Sequence, residues 1–358
     1  MKRILVVRND KIGDFMLAWP SFAMLKRAMP VHVTALVPTY TAPLATLCPW
    51  IDEVIIDPGI NGDKDQQRAL IARLRSAGFD ASICLFSNAR NAMLMWKAKI
   101  PYRLAPATKW AQILYNHRLV QRRSRSLKAE SEYNLDLIRY FLTQQGVAAI
   151  EEPTAPYLSF QPTQLAKVRA KLARELKIDA SRPWLIVHAG SGGSANNLSI
   201  EQYARTIIKL NRIYPQLQCL LTAGPGEESA TKELAIELLA HGGSSWIYYS
   251  TEGLVTFCQV IANAALFMAG STGPLHIAGA LDVPTIGFFP MRRSATPLRW
   301  RPLNSKGRHL ALSPSAQSDN PEDMSQLEPA YLVAQMTEWV APFVLSSTGI
   351  DNECTSTC

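Results

Sequence analysis

The sequence predicts an α/β protein with two domains, each a doubly wound parallel sheet. In both halves of the chain, short β-branched runs alternate with amphipathic stretches, a pattern typical of parallel strands joined by helices. A chain of 358 residues exceeds the usual size of one hydrophobic core, so we expect two domains. The 47% hydrophobic and 18% charged content is ordinary for a globular protein and argues against disorder.

The first half alternates strand and helix from its first residues. Three prolines between residues 151 and 164 interrupt this alternation and predict a linker, so we expect a first domain over residues 1–155. The predicted elements of this half are strands at 4–7, 31–37, 54–56 and 81–86, and helices at 16–29, 67–77 and from residue 88 onward.

The second half repeats the alternation and predicts a second domain over residues 165–328, facing the first across a cleft. A helix at 329–345 and a disordered polar tail at 346–358 complete the prediction. Ligands of open α/β sheets bind outside the carboxyl ends of the strands, so the strand-end loops are the candidate sites. The predicted elements are strands at 184–188, 218–222, 246–249, 266–269 and 283–289, and helices at 200–213, 227–239, 254–263 and 274–281.

The sequence indicates neither export nor membrane insertion. The first apolar run stops at Val7, where charged residues follow, and the apolar run 260–269 is too short to cross a bilayer. The six cysteines have no CxxC spacing, and Cys84, Cys219 and Cys258 lie in apolar runs typical of packed thiols. We expect a protein of the reducing cytoplasm without a metal site.

Positive charge is concentrated in the first half of the chain. Residues 1–150 hold 21 Lys and Arg against 11 Asp and Glu, a balance of +10, whereas residues 151–358 hold 16 against 18, a balance of −2. The densest part, residues 103–128, mixes Arg118, Arg122 and Arg123 with Trp110 and other apolar side chains. This mixture suits an anionic surface, either phosphorylated lipid or nucleic acid, and the alternative is a solvated basic loop.

The loop after the first predicted strand, RNDKIGDF, offers a candidate catalytic carboxylate. It carries Arg8, Lys11 and Asp14 at the start of a helix. A carboxylate held at a strand end can act as a general base, which makes Asp14 the candidate. The alternative is that Asp14 is only an acid favoured by the helix macrodipole.

Two loops of the second half are candidates for nucleotide binding. HAGSGGSANN contains Ser191, Gly192 and Asn196 before a helix, where backbone N–H groups can contact phosphate oxygens. In AGPGEES, Glu227 can accept both hydroxyl groups of a ribose. A flexible turn and a helix cap are the respective alternatives. Neither half of the chain has the GxGxxG spacing of a dinucleotide-dependent oxidoreductase.

The stretch GSTGPLHIAGA has the features of an anion-binding helix start. Ser271 or Thr272 can cap the helix, Gly273 permits close approach of a ligand, and Pro274 fits the first turn. The free amides and His276 could then contact a diphosphate at the positive end of the helix dipole. The alternative is a capped structural helix with a buried histidine.

These loops, in their order and spacing, resemble glycosyltransferase family 9, the ADP-heptose:lipopolysaccharide heptosyltransferases. The resemblance covers about residues 1–345 and implies a GT-B fold whose last helix returns to the first domain. It also implies inverting transfer that needs no metal and no cofactor, the ADP-sugar being a substrate. The matching stretches are ILVVRNDKIGDFMLAWP, HAGS with NNLSIEQYARTI, AGPGEE and GSTGPLHIAGALDVPTIGFFP.

The resemblance also implies roles for individual residues. Asp14 would deprotonate the acceptor hydroxyl, Glu227 would bind the ribose, and the corner at Thr272, Gly273 and His276 would bind the diphosphate. The acceptor would be a phosphorylated lipid A-core molecule at the cytoplasmic face of the inner membrane. Its phosphates would contact basic side chains of the first domain, namely Arg8, Lys11, Arg118, Arg122 and Arg123.

Two residues depart from the family pattern and leave the donor open. Ser271 stands where many members have Asp, and Asn196 stands where many have Lys. Both would lie near the transferred sugar and the phosphates, so Arg8, Lys11 or the pair Arg292 and Arg293 could neutralise the phosphates instead. A GT-B protein glycosyltransferase, a sugar epimerase and a basic nucleic-acid-binding protein remain the alternatives.

Overall fold

The computed structural model describes residues 1–108, 110–190 and 196–345 and confirms the two-sheet α/β fold. Its contacts divide the chain into two compact units, Met1–Leu158 and Ser159–Cys358. The division falls within the proline-containing segment that predicted the linker. The tail at 346–358, predicted to be disordered, lies outside the described residues.

The first unit contains a six-stranded parallel sheet in the order β3-β2-β1-β4-β5-β6. Its strands are β1 (Arg3–Val7), β2 (His32–Pro38), β3 (Glu53–Asp57), β4 (Ala81–Cys84), β5 (Tyr102–Pro106) and β6 (His117–Leu119). Its helices are α1 (Ile12–Met16), α2 (Trp19–Ala28), α3 (Ala42–Leu47), α4 (Lys64–Ser76), α5 (Ala89–Lys97) and α6 (Glu130–Gln144).

The second unit contains another six-stranded parallel sheet, in the order β12-β11-β10-β7-β8-β9. Its strands are β7 (Trp184–His188), β8 (Gln218–Ala223), β9 (Ser245–Tyr249), β10 (Leu266–Gly270), β11 (Thr285–Phe288) and β12 (His309–Leu312). Its helices are α7 (Pro162–Leu176), α8 (Ile200–Ile213), α9 (Glu228–Ala240), α10 (Leu254–Ala262), α11 (Gly273–Ala280) and α12 (Pro329–Leu345).

The predicted elements of both halves are present, but one is divided and others were missed, among them α3, α7 and β12. The helix predicted at 16–29 is divided into α1 and α2, because Pro20 occupies the first turn of a new helix. The strands β5 and β6 lie in the basic segment and were missed, because their charged residues hide the apolar alternation. The helix α6 was missed as well, and it proves central to the candidate site.

The strands at the centre of each sheet are buried on both faces. Residues 4–7 of β1 and the apolar residues 266–269 of β10 are inaccessible to solvent, as expected for parallel strands covered by helices on either side. In the first unit, α4, α5 and a 3₁₀ helix at Trp110–Leu114 share a core with β1 and β2. The predicted burial of Cys84, Cys219 and Cys258 is confirmed.

The last helix, α12, packs within the second unit. Its residues Leu332, Met336, Val340 and Val344 repeat every fourth position and join the core beside α8. The hydroxyl of Tyr214 at the end of α8 donates to the carbonyl oxygen of Thr337 at 2.5 Å. The return of this helix to the first domain, which the family resemblance implies, stays a prediction.

The helix α11 packs so closely on the chain after β11 that one position has no room for a side chain. A Cβ atom at Gly279 would lie 2.5 Å from the Cβ of Pro302 and 2.9 Å from the backbone nitrogen of Leu303. Both neighbours are main-chain or ring atoms, which cannot rotate away. Gly279 therefore sets the distance between α11 and the segment that leads to β12.

We expect Gly279→Ala to lower the free energy of unfolding by about 1–3 kcal/mol, because the added methyl group overpacks this contact. Intrinsic helix propensity alone predicts the opposite, a gain of about 0.5–1 kcal/mol. Urea denaturation of the variant and the wild type distinguishes the two signs. A more stable variant would contradict the close packing of α11.

Candidate functional site

The candidate base Asp14 lies in α1, directly after the loop that follows β1. Its carboxylate is 17% exposed and accepts a hydrogen bond from Nη2 of Arg8 at 2.5 Å. The helix α1 begins after Lys11, whose side chain provides no cap. Asp14 is thus more than a helix-start acid, because a buried guanidinium determines the orientation of its carboxylate.

Arg8 is the centre of a buried ion cluster. Its side chain is only 2% exposed. Its Nε donates to Asp10 at 2.8 Å, while its Nη1 donates to Glu130 at 3.0 Å and to Asn134 at 3.2 Å. The guanidinium therefore donates to four protein acceptors, counting Asp14, and its contact with acceptor phosphates stays a prediction.

The helix α6 supplies the second layer of this cluster. Glu130, 3% exposed, also accepts from Nη1 of Arg123 at 2.7 Å, and Asn134 donates to the carbonyl oxygen of Leu17 at 3.2 Å. Arg123 further donates to Gln121 and lies over the ring of Tyr133. Arg123, predicted to bind acceptor phosphates, is thus turned into the protein and braces Glu130.

The three other predicted basic residues remain accessible. Lys11, Arg118 and Arg122 are all exposed. Arg122 has a left-handed backbone conformation, with φ of 47°, that turns the chain between β6 and Arg123. These three side chains are available for an anionic ligand of the first unit.

The cluster perturbs the protonation of its members. Burial favours the neutral form of Asp10 and raises the pKa of its carboxyl to about 7, with Arg8 opposing and Asp14 adding to the shift. For Arg8, burial opposes the charged form, but the carboxylates of Asp10, Asp14 and Glu130 outweigh it and raise the pKa. Three carboxylates face the two guanidinium groups of Arg8 and Arg123. Protonation of Asp10 would therefore make the net charge of the cluster zero.

In the second unit, the start of α11 is arranged as an anion site. Thr272 is the N-cap residue, but its hydroxyl donates to the carbonyl oxygen of Gly270 at 3.3 Å and does not cap the helix. The amides of the first turn have no acceptor within the helix. Pro274, which has no N–H group, leaves no donor without an acceptor. The amides of Gly273 and Leu275 can therefore bind an external anion at the positive end of the helix.

His276 lies in the first turn of α11 and is 2% exposed. Burial lowers the pKa of its ring to about 3, helped by the nearby His309, so the imidazole is neutral. Its Nδ1 is buried and has no hydrogen-bond partner among the residues that the structure describes. A buried polar atom without a partner is costly, which is consistent with a site prepared for a polar ligand.

Glu227 is held at the carboxyl ends of β7 and β8. Its Oε2 lies 3.2 Å from Nε2 of His188 and accepts from the amide of Gly224 at 2.9 Å. A Cβ at Gly190 would lie only 2.3 Å from the Glu227 carboxyl carbon. The glycine is required for this carboxylate to lie against the end of β7, and Glu227 is therefore positioned and not merely a cap.

The remaining residues predicted to bind the sugar donor are either accessible to solvent or outside the described residues. Ser271 is partly exposed at the end of β10, and Asn196 is exposed. Ser191 and Gly192 lie outside the described residues. Arg292 and Arg293 are exposed after β11.

Sequence reasoning missed two residues that organise the second site. Asn197 donates from Nδ2 to the carbonyl oxygen of Ala189 at 2.8 Å and accepts the hydroxyl of Tyr203 at 2.7 Å, and it packs against Gly270. The second missed residue is His188, which contacts Glu227. Two features of the sequence could have indicated these residues. One is a histidine at the end of a strand, and the other is the two adjacent asparagines before the Ser199 capping box.

Within residues 1–108, 110–190 and 196–345, no group of three or more His, Cys, Asp or Glu side chains is placed to hold a metal ion. Among the helices of these residues, none is long and apolar enough to cross a membrane.

The chain is similar to known proteins over nearly its whole length. A family model described as glycosyltransferase family 9 (heptosyltransferase) matches residues 67–330. A putative glycosyltransferase of Haemophilus influenzae is 46% identical over 98% of this chain and 100% of its own. Lipooligosaccharide heptosyltransferase 2 of Haemophilus ducreyi is 21% identical over 79% of this chain and 81% of its own.

A solved structure has the same fold. It is the E. coli heptosyltransferase WaaC with ADP-2-deoxy-2-fluoro heptose, at a TM-score of 0.68 and 15% identity. The match covers 94% of this chain and 99% of that one.

We expect Asp10→Asn to raise the melting temperature at about pH 8 and to change it little near pH 4. Folding raises the pKa of this carboxyl from about 3.9 to about 7. The stability it contributes is therefore present below about pH 4 and is lost as the pH rises through 7.

Thermal unfolding across this pH range measures the effect. Asp65→Asn is the matched control, because Asp65 is 90% exposed on α4 and should show no such pH dependence. Equal changes in melting temperature with pH for the two variants would contradict the burial of Asp10 in this cluster.

Proposed function

The chain belongs to glycosyltransferase family 9, and from this membership we propose that it is an inverting heptosyltransferase. It would move a heptose from an ADP-sugar to a hydroxyl group of a lipopolysaccharide inner-core acceptor. The observation that carries the proposal is a pair of strand-end sites. One is the carboxylate of Asp14 oriented by a buried arginine. The other is the uncapped start of α11 beside His276, whose Nδ1 has no hydrogen-bond partner among the described residues.

The relatives support the nature of donor and acceptor. The solved structure with this fold contains an ADP-sugar, and the Haemophilus ducreyi relative is named for a lipooligosaccharide substrate. A diphosphate matches the backbone donors at the start of α11, since such amides favour anions. Glu227, already held by His188 and Gly224, has the chemistry to accept the two ribose hydroxyl groups.

In the proposed reaction, Asp14 is the general base. Arg8 binds Oδ1 of this carboxylate, and we assign the acceptor proton to Oδ2. The acceptor oxygen forms a bond with the anomeric carbon while the bond from that carbon to the phosphate oxygen breaks on the opposite face. The centre is inverted, ADP leaves with the bonding electrons, and Asp14 holds the proton.

The departing ADP gains negative charge during this displacement. We propose that the amides of Gly273 and Leu275 and the neutral His276 donate to its phosphates, because donors at the developing charge stabilise the transition state most effectively. Because Arg8 is already paired with three carboxylates, additional positive charge would come from Lys11 or from Arg292 and Arg293, all of which are exposed. We propose that the transfer needs no metal ion.

The acceptor would bind the first unit. Lys11, Arg118 and Arg122 are exposed there and match the phosphates of a lipid A-core acceptor. The proposed place of action is the cytoplasmic face of the inner membrane, where such an acceptor is anchored in the bilayer.

We expect Asp14→Asn to lower kcat by about 10²–10⁴-fold, the usual contribution of a general base, and to leave ADP affinity nearly unchanged. Transfer to extracted lipopolysaccharide precursors, followed by mass spectrometry, measures the loss. Asp10→Asn is the comparison, because it alters the same cluster without removing the proposed base.

Full activity of Asp14→Asn, or a larger loss with Asp10→Asn, would overturn the assignment of the base. A mass gain on polypeptide alone would overturn the lipid acceptor.

We expect ADP to bind more tightly than UDP or GDP in calorimetric titrations. Glu227→Gln should weaken ADP binding by about 10–100-fold, because a charge-assisted hydrogen bond to the ribose is worth about 1.5–3 kcal/mol. Glu228→Gln is the matched control, since Glu228 is exposed one residue later in α9. Preference for UDP or GDP would contradict the ADP-sugar donor.

A further inference from the structure

The helix α5 carries large apolar side chains that the described part of the chain leaves exposed. Met93 and Trp96 are 36% and 51% exposed and lie three residues apart, whereas Ala92 and Met95 of the same helix are buried. Lys97 is exposed as well. This helix therefore shows apolar side chains to solvent on a face where polar ones are usual.

The neighbouring 3₁₀ helix, Trp110–Leu114, extends this face. It packs against α5, and its Ala111 belongs to the same buried core. Trp110 is 69% exposed and Ile113 is 71% exposed. Because α5 and this 3₁₀ helix contact each other over one buried core, we consider their exposed side chains together. We call Met93, Trp96, Trp110 and Ile113 the docking surface.

The surrounding chain contains no acidic residue. From residue 81 to residue 129 the sequence has no Asp or Glu. The docking surface thus lies in a segment whose charge is entirely positive. The same segment has ten basic residues, namely Arg90, Lys97, Lys99, Arg103, Lys109, Arg118, Arg122, Arg123, Arg125 and Lys128.

Several of these charges lie close to the docking surface. Lys97 and Lys99 are exposed at the end of α5. Arg75, exposed at the end of α4, donates from Nη2 to the carbonyl oxygen of Lys97 at 2.7 Å, which brings a third cation to the same end. Part of the basic segment is internal, because Arg103 donates to the carbonyl oxygens of Ile100 and Leu114.

We propose that the docking surface binds the first unit to a lipid bilayer with anionic head groups. Tryptophan side chains favour the boundary between head groups and acyl chains, and nearby lysine and arginine side chains are attracted to anionic lipids. Exposed apolar side chains in a segment with only basic charges fit such a bilayer in both respects. The proposal deepens the proposed function, because a bilayer-anchored acceptor has to be reached at the membrane.

The topology relates α5 to the strand that leads to the candidate base. The strand β4, which leads into α5, is the neighbour of β1, which leads to Asp14. Both loops leave the same carboxyl edge of a parallel sheet. The start of α5 therefore lies at the edge of the sheet that carries Asp14, whereas Trp96 lies at the other end of this helix.

The test uses vesicles that contain no acceptor, so that binding reports the bilayer alone. The full chain is sedimented with vesicles of phosphatidylglycerol and phosphatidylethanolamine, and separately with vesicles of phosphatidylcholine. Binding is expected only with the anionic vesicles and should weaken as salt is added. The combined Trp96→Ser and Trp110→Ser variant should bind at least tenfold more weakly.

Two further variants separate charge from apolar contact. Combined Lys97→Gln and Lys99→Gln should weaken binding by about 25-fold, from about fivefold per charge near an anionic surface. Combined Ile236→Ser and Leu239→Ser on α9 is the matched control, because these side chains are 68% and 73% exposed on the second unit. This control should bind as the wild type does.

The outcomes distinguish the docking surface from the proposed reaction. Transfer to acceptor dispersed in detergent should be unchanged in the tryptophan variant, which also confirms that it is folded. The proposal is overturned if the wild type does not bind anionic vesicles, if phosphatidylcholine binds equally, or if the control loses as much binding as the tryptophan variant. A tryptophan variant that keeps vesicle binding but changes the oligomeric state would instead identify an interface between copies of this chain.

Discussion

The pairing of the buried Arg8 guanidinium is the constraint on which the first unit depends. A charge removed from water is tolerated only when acceptors surround it, and Arg8 contacts Asp10, Asp14 and Glu130 together. These contacts join the loop after β1 to α6, whose first residue is Glu130. The same requirement that stabilises the fold therefore orients the carboxylate of the candidate base, and stability and chemistry share one cluster.

The second unit solves a different electrostatic problem, and it does so mainly with the backbone. The start of α11 combines uncapped amides with a histidine that burial keeps neutral. Backbone dipoles attract an anion without placing a full charge in the interior, which would itself need a partner. Glu227 is the charged exception, and its position depends on His188 and on the absence of a side chain at Gly190.

The basic residues of the first unit serve distinct purposes that composition does not separate. Arg8 and Arg123 are turned inward and hold carboxylates, whereas Lys11, Arg118 and Arg122 are exposed. The aromatic residues of the basic segment divide similarly, since Tyr115 is buried and Trp110 is exposed. Fewer basic side chains are therefore accessible to an anionic partner than the number of Lys and Arg residues indicates. The surface that we propose for this partner also includes α5, which precedes the densest basic stretch.

The sequence by itself determined the alternation of strands and helices, the two sheets and the strand-end loops that carry Asp14, Glu227, Thr272 and His276. These features are local, because hydrophobic periodicity and turn residues act within a few positions along the chain. The tertiary structure alone decided that Arg8 is a partner of Asp14 and that α5 adds to the exposed apolar surface. Glu130 reaches Arg8 across 122 residues of sequence. Burial and ion pairing depend on which distant elements pack together, and no local pattern encodes that choice.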